Sequence, residues 1–95
     1  MSKAFKLVTI FSEAVLESSL ITDLENMGIT GYTVSDCRGR GTNGVRSGRW
    51  SASANIRIEI MCEHERSLEL AGLLNAKYNS NYGILIFSHP VDVLN

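Results

Sequence analysis

The hydrophobic pattern alternates between a period of two and a period near 3.6, and each switch marks an element of structure. Residues Ala4–Phe11 read as a first strand: Phe5, Leu7 and Thr9 alternate with Lys6, Val8 and Ile10, and the second set is largely apolar too. Ser12 is then the expected N-cap of a helix, with Glu13 in its first turn favouring the helix dipole. Leu16, Leu20, Leu24 and Met27 recur at spacings of four and three, and Gly28 follows where a C-terminal cap belongs. Gly31–Arg38 reads as a second strand built on Tyr32, Thr33 and Val34.

The alternation is cleanest in Ala54–Cys62, where Ile56, Ile58 and Ile60 face one way and Asn55, Arg57, Glu59 and Met61 the other. A second helix is expected from Glu63 or Glu65 to Tyr78. Leu70, Leu73, Leu74 and Tyr78 are its buried stripe, and Lys77 suits the negative end of its dipole. Asn79–Gly83 is a turn, Ile84–Phe87 a last strand, and Pro90 ends regular pairing or confines the remaining residues to a sheet edge. The order β-α-β-β-α-β, with right-handed crossovers, predicts an α+β, ferredoxin-like domain over residues 1–95: a four-stranded antiparallel sheet with both helices on one face. The other face then carries Lys6, Val8 and Ile10, and a symmetric homo-oligomer is expected to bury it.

Charge changes this picture at one place. Between Cys37 and Ile58 stand Arg38, Arg40, Arg46, Arg49 and Arg57 with no Asp or Glu, so a chain of net charge −1 concentrates its cations there and is acidic elsewhere. The segment 38–53, RGRGTNGVRSGRWSAS, also holds Gly39, Gly41, Gly44 and Gly48. Glycines let a backbone approach a ligand, and arginines offer planar forks to carboxylate or phosphate. One basic loop on an acidic body points to a small anionic ligand or an acidic partner patch, although a solvated loop fits the charge pattern as well. Arg38-Gly-Arg-Gly41 is no Walker motif, because no Lys-Ser/Thr follows and no helix begins there.

Other classes are poorly supported. Asp36 and Glu59 lie on strands among arginines, and Ser12, Ser47, His64 and His89 have no spacing that suggests a triad, so no catalytic residue is assigned. Two cysteines and two separated histidines give no metal-ligand spacing. If the strands flanking the loop pair as a hairpin, Cys37 lies opposite residue 55 and Cys62 opposite residue 30, on the order of 20 Å apart, so the thiols stay reduced. An RNA-binding domain has the same element order, but the third strand, ANIRIEIMC, has no aromatic residue to stack a base. Trp50 could stack on a base, and serves slightly better as an anchor in a protein contact. No apolar run approaches the ~20 residues that span a bilayer, and the start has no small-residue cleavage site, so a cytoplasmic location without membrane insertion is expected.

Gly31-Tyr-Thr-Val34, Gly39-Arg-Gly41, Val45-Arg-Ser47, Ala54-Asn-Ile-Arg-Ile-Glu59, Lys77-Tyr78 and Asn81-Tyr-Gly83 together resemble the PII-like signalling proteins, and most of all the branch associated with carboxysomes and bicarbonate uptake. The resemblance implies a homotrimer with an adenine nucleotide in each cleft between subunits, and a T-loop over 38–53 that responds to the ligand and docks on a target. It assigns Thr33 and Met61 to the adenine, with Arg57 and Glu59 flanking it or bracing the site. Arg38, Gly39, Arg40, Gly41, Arg46 and Ser47 go to the phosphates, and Tyr82 and Gly83 to the far side of the cleft. Arg46, Arg49 and Trp50 are left for the anion or the protein partner.

Departures refine the ligand. Ile84 stands where PII proteins have a lysine, and no arginine follows Arg66 to hold a triphosphate, which favours ADP, AMP or a cyclic nucleotide over ATP. The loop has no tyrosine for uridylylation, and Thr42-Asn43-Gly44 replaces the region of the glutamine that orders 2-oxoglutarate and magnesium. The expected function is a non-enzymatic sensor of an adenine nucleotide, with bicarbonate as a possible co-ligand and a carbon-uptake or carboxysome-related protein as target, and no nucleic acid as partner. The alternatives are an anion or metal sensor without nucleotide, an enzyme of phosphate chemistry, and a nucleic-acid-binding module.

Overall fold

A computed structural model describes residues 4–39, 54–78 and 83–95. The elements are β1 (Phe5–Glu13), a 3₁₀ turn (Ala14–Leu16), α1 (Glu17–Asn26), β2 (Thr33–Cys37), β3 (Asn55–Glu63), α2 (His64–Tyr78) and β4 (Leu85–Val91). The strands form one antiparallel sheet in the order β2-β3-β1-β4, the ferredoxin-like arrangement. Cys37 pairs with Asn55, as expected of the hairpin, and both cysteines are free.

The core lies between the sheet and the helices. Ile56, Ile58 and Ile60 of β3 pack with Val8 and Ile10 of β1, Leu20 and Leu24 of α1, and Leu70 and Leu74 of α2, all at most 1% exposed. Fully burying each such side chain contributes about 1.5–3 kcal/mol against the unfolded chain. Helix α1 ends as its sequence requires. Gly28 adopts φ 81°, its N–H donates to the Glu25 carbonyl at 2.9 Å, and the Ile29 N–H reaches back to the Leu24 carbonyl at 2.9 Å. That is a Schellman cap, with the apolar pair Leu24 and Ile29 buried beneath it.

Four expectations are corrected. First, Val8 and Ile10 line the helix-covered face, not the open one; the open face of β1 is Phe5, Leu7, Thr9 and Phe11, with Lys6 on the same side as Val8. Both sets are largely apolar, so alternation alone does not orient the strand. Register with β3 decides, because Val8 pairs with Ile60 and Ile10 with Ile58. Second, Ser12 is not an N-cap. It is fully buried in β1 opposite Ile56, and its hydroxyl donates to the Glu13 carbonyl at 3.0 Å. Glu13 ends the strand opposite Asn55, the chain turns through Ala14–Leu16, and Glu17 takes the acidic place in the first turn of α1.

Third, Leu73 is 41% exposed, because Leu70, Leu74 and Tyr78 repeat every four residues and place it on the flank of the buried stripe. Fourth, β4 continues past Phe87 to Val91 and carries Pro90 opposite Lys6, which an edge strand tolerates.

Candidate functional site

Because side chains alternate along each strand, the register assembles the open face in rows. Thr33, Glu59, Thr9 and Phe87 make one row. Ser35, Arg57, Phe11 and Leu85 make the next, and Met61, Leu7 and His89 lie on the other side of the first. Leu85, Phe87 and Met61 are 50%, 44% and 52% exposed, and the Phe11 and Phe87 rings lie 6.0 Å apart between centroids. A face this apolar is normally covered.

The fold brings together three of the candidate ligand residues. Thr33 pairs directly with Glu59, and Met61 stands two positions further along β3 on the same face. Arg38 and Gly39 lie at the other end of β2, exposed, about 16 Å from Thr33 at ~3.3 Å per residue. Gly83 precedes β4 at that same end of the sheet but beyond its opposite edge. Arg40, Gly41, Arg46, Ser47, Arg49, Trp50 and Tyr82 lie outside the described residues.

At the base of the basic loop the surface opens into a cleft of about 460 Å³ lined by Ala14, Asp36, Cys37, Arg38, Ala54 and Asn55. It arises because β2 and β3 separate after the Cys37–Asn55 pair while the 3₁₀ turn starts beside them, held by the Ala14 N–H to the Ala54 carbonyl at 2.8 Å. Arg38 brings a guanidinium with its donor fork, and Asp36 brings a carboxylate that accepts. Of these residues, only Arg38 was expected from the sequence to contact a ligand. Ala14 and Asn55 give no local signal, since their meeting depends on strand register.

A second polar cluster joins the helices. The Asp23 side chain, 9% exposed, accepts from Lys77 Nζ at 2.7 Å and from the Tyr78 hydroxyl at 2.5 Å, and the hydroxyls of Ser19 and Tyr78 are also 2.5 Å apart. Burial and the hydrogen bond to Asp23 push the Tyr78 hydroxyl above its ordinary pKa, and the hydrogen bond to Asp23 raises that of Lys77. Lys77 therefore does more than complement a dipole; it pairs with α1. Burial also raises the Cys62 thiol, partly offset by Arg66. Among the described residues no three His, Cys, Asp or Glu side chains cluster as metal ligands, and no helix is long and apolar enough to cross a membrane.

A family model described as nitrogen regulatory protein P-II matches residues 5–94. Among solved structures, a protein of Thermus thermophilus described as PII-like and signalling is 34% identical, with a TM-score of 0.78 over 97% of this chain and 91% of that one. CPII, a nitrogen regulatory PII-like protein of Thiomonas intermedia solved with ADP, AMP and bicarbonate, is 19% identical, with a TM-score of 0.79 over 97% of this chain and 94% of that one. A functionally unknown protein of Pediococcus pentosaceus is 18% identical, with a TM-score of 0.74 over 99% of this chain and 98% of that one.

Proposed function

The chain belongs to the nitrogen regulatory P-II family, and on that footing we propose that it is a non-enzymatic cytoplasmic regulator which binds ADP or AMP, together with bicarbonate, in the clefts between subunits of a homotrimer. One observation carries the reading. Arg38 and Gly83 sit at the same end of the sheet but beyond opposite edges, β2 and β4, so about 14 Å of sheet width separates them at ~4.8 Å per strand. A ligand held by both ends takes them most easily from two copies, one presenting its β2 edge and the other its β4 edge. CPII, which shares the fold, binds ADP, AMP and bicarbonate, and this supports the choice of ligands.

In this reading Thr33, Glu59 and Met61 receive the adenine, and Arg38 and Gly39 begin the phosphate contacts that Arg40, Gly41, Arg46 and Ser47 complete. Tyr82 and Gly83 close the cleft from the neighbouring subunit. Segment 38–53 acts as a T-loop, and Arg49 and Trp50 are left for a carbon-uptake or carboxysome-related target. Ile84 is 6% exposed and part of the core, so it brings no donor to a third phosphate. That supports a mono- or diphosphate over ATP. Pairing an anion with the loop arginines relieves their mutual repulsion.

Titration calorimetry with AMP, ADP, ATP and cyclic AMP, each with and without bicarbonate, tests the proposal. ADP or AMP should bind tightest and ATP more weakly, with bicarbonate changing the affinity; absence of heat from every nucleotide would sink it.

A further inference from the structure

We propose that the cleft at the base of the basic loop binds a free α-amino acid, with Arg38 taking its carboxylate and Asp36 its ammonium group. This site goes beyond the nucleotide reading above and does not depend on it.

The cleft, about 460 Å³, is lined by opposite charges that do not neutralise each other. Asp36 and Arg38 are both exposed and stand two residues apart, at most about 7 Å along the chain. Among the described residues, neither side chain forms a hydrogen bond or an ion pair. A ligand of one sign is therefore opposed: a plain anion gains Arg38 but meets the Asp36 carboxylate, and a plain amine meets the reverse. An α-amino acid carries two acceptor oxygens and three ammonium donors around one carbon, so one small molecule answers both charges. A guanidinium fork holds a carboxylate through two parallel hydrogen bonds, and a carboxylate accepts strongly from an ammonium group.

The rest of the wall suits the same ligand. Asn55 is 2% exposed and brings a carboxamide, which both donates and accepts. Ala14 and Ala54 bring only methyl groups, which leave room for the side chain of the ligand. The volume falls toward the lower end of small-molecule sites, roughly 300–1,000 Å³. The wall is also built before a ligand arrives. Asn55 is held in register between Cys37 and Glu13, and the Ala14 N–H donates to the Ala54 carbonyl at 2.8 Å. A preformed site loses little affinity to ordering. Arg38 also begins the phosphate contacts of the nucleotide reading, and its five N–H donors let one edge hold the amino acid while another faces a phosphate.

The test titrates the full chain, free of nucleotide, with L-alanine, with propionate, which lacks the ammonium, and with ethylamine, which lacks the carboxylate. Calorimetry gives affinity, and backbone amide shifts give location. L-alanine should bind at least about tenfold more tightly than either of the others, the effect of one charged hydrogen bond. The shifts should centre on Ala14, Asp36, Arg38 and Asn55. Asp36→Asn keeps the shape of an exposed side chain; it should lower L-alanine affinity about tenfold and leave propionate binding as strong or stronger. Propionate or ethylamine binding as tightly as L-alanine would overturn the zwitterionic site, as would an Asp36→Asn variant that holds L-alanine unchanged. So would the absence of any amide shift in the cleft. ADP heat measured on the same protein separates the two readings: heat from ADP without a response to L-alanine refutes the cleft alone, and the converse refutes the nucleotide alone.

Discussion

Replacing Tyr78 by Phe removes one oxygen from a side chain that is 3% exposed, and keeps its shape in the core. The lost hydroxyl donates to a carboxylate at 2.5 Å and lies 2.5 Å from Ser19 Oγ. A hydrogen bond to a charged group is worth about 1.5–3 kcal/mol, more than a neutral one. Asp23 keeps Lys77, whose ammonium end is largely in water, so the carboxylate is not orphaned. The middle of the range, about 2 kcal/mol, is therefore the expected loss. For a domain of this size that lowers the melting temperature by roughly 8–12 °C. The assay is thermal and urea unfolding at one fixed subunit concentration, because association couples to stability. A double-mutant cycle with Asp23→Asn should return a coupling of about 1 kcal/mol or more. A loss under ~0.5 kcal/mol, or strict additivity in the cycle, would refute the claim that this bond fastens α2 to α1.

The same cluster sets an alkaline limit. The folded pKa values of Tyr78 and Lys77 lie above ordinary values of 10.0 and 10.5, so the folded chain holds its protons longer than the unfolded one. Their contribution is full below about pH 10 and is lost as pH rises through the folded values, so urea midpoints should fall above pH 10 and fall less in Tyr78→Phe. Gly28→Ala should cost about 1 kcal/mol, measured by urea unfolding, because φ is 81°, although the added methyl would meet Arg66 Nη2 only at an ordinary 3.4 Å. Gly31→Ala, with no atom within 4 Å of its methyl and no left-handed backbone, should be close to neutral. Arg38→Ala should weaken ADP binding by roughly tenfold in calorimetry while leaving the melting temperature within a degree or two, since the side chain is exposed.

Local pattern identified the elements wherever a single period dominated. The alternating isoleucines of β3 are all buried, and the stripe Leu16, Leu20 and Leu24 is buried with Gly28 closing the helix behind it. The pattern failed where two readings had equal local support. Ser12-Glu13 resembles a helix start in isolation, yet Ile56 and Asn55 lie across from those residues and extend the ladder. The candidate site divides the same way. Thr33, Glu59 and Met61 were marked by family resemblance alone, and register places them together. The cleft wall formed by Ala14 and Asn55 has no local signature at all.

The sequence by itself determined the order of strands and helices, the hairpin register that puts Cys37 opposite Asn55, and the concentration of arginine and glycine between residues 37 and 58. These follow from neighbours in the chain, where side-chain period and charge are read directly. Tertiary structure alone decided which face of β1 meets the helices, because both of its faces are apolar and only pairing with β3 separates them. It also decided that Asp23 meets Tyr78 across 55 residues, and that Arg57 and Glu59 stand side by side on a face no helix covers. Burial and pairing of charge are properties of surfaces in contact, and those surfaces exist only once distant segments have packed.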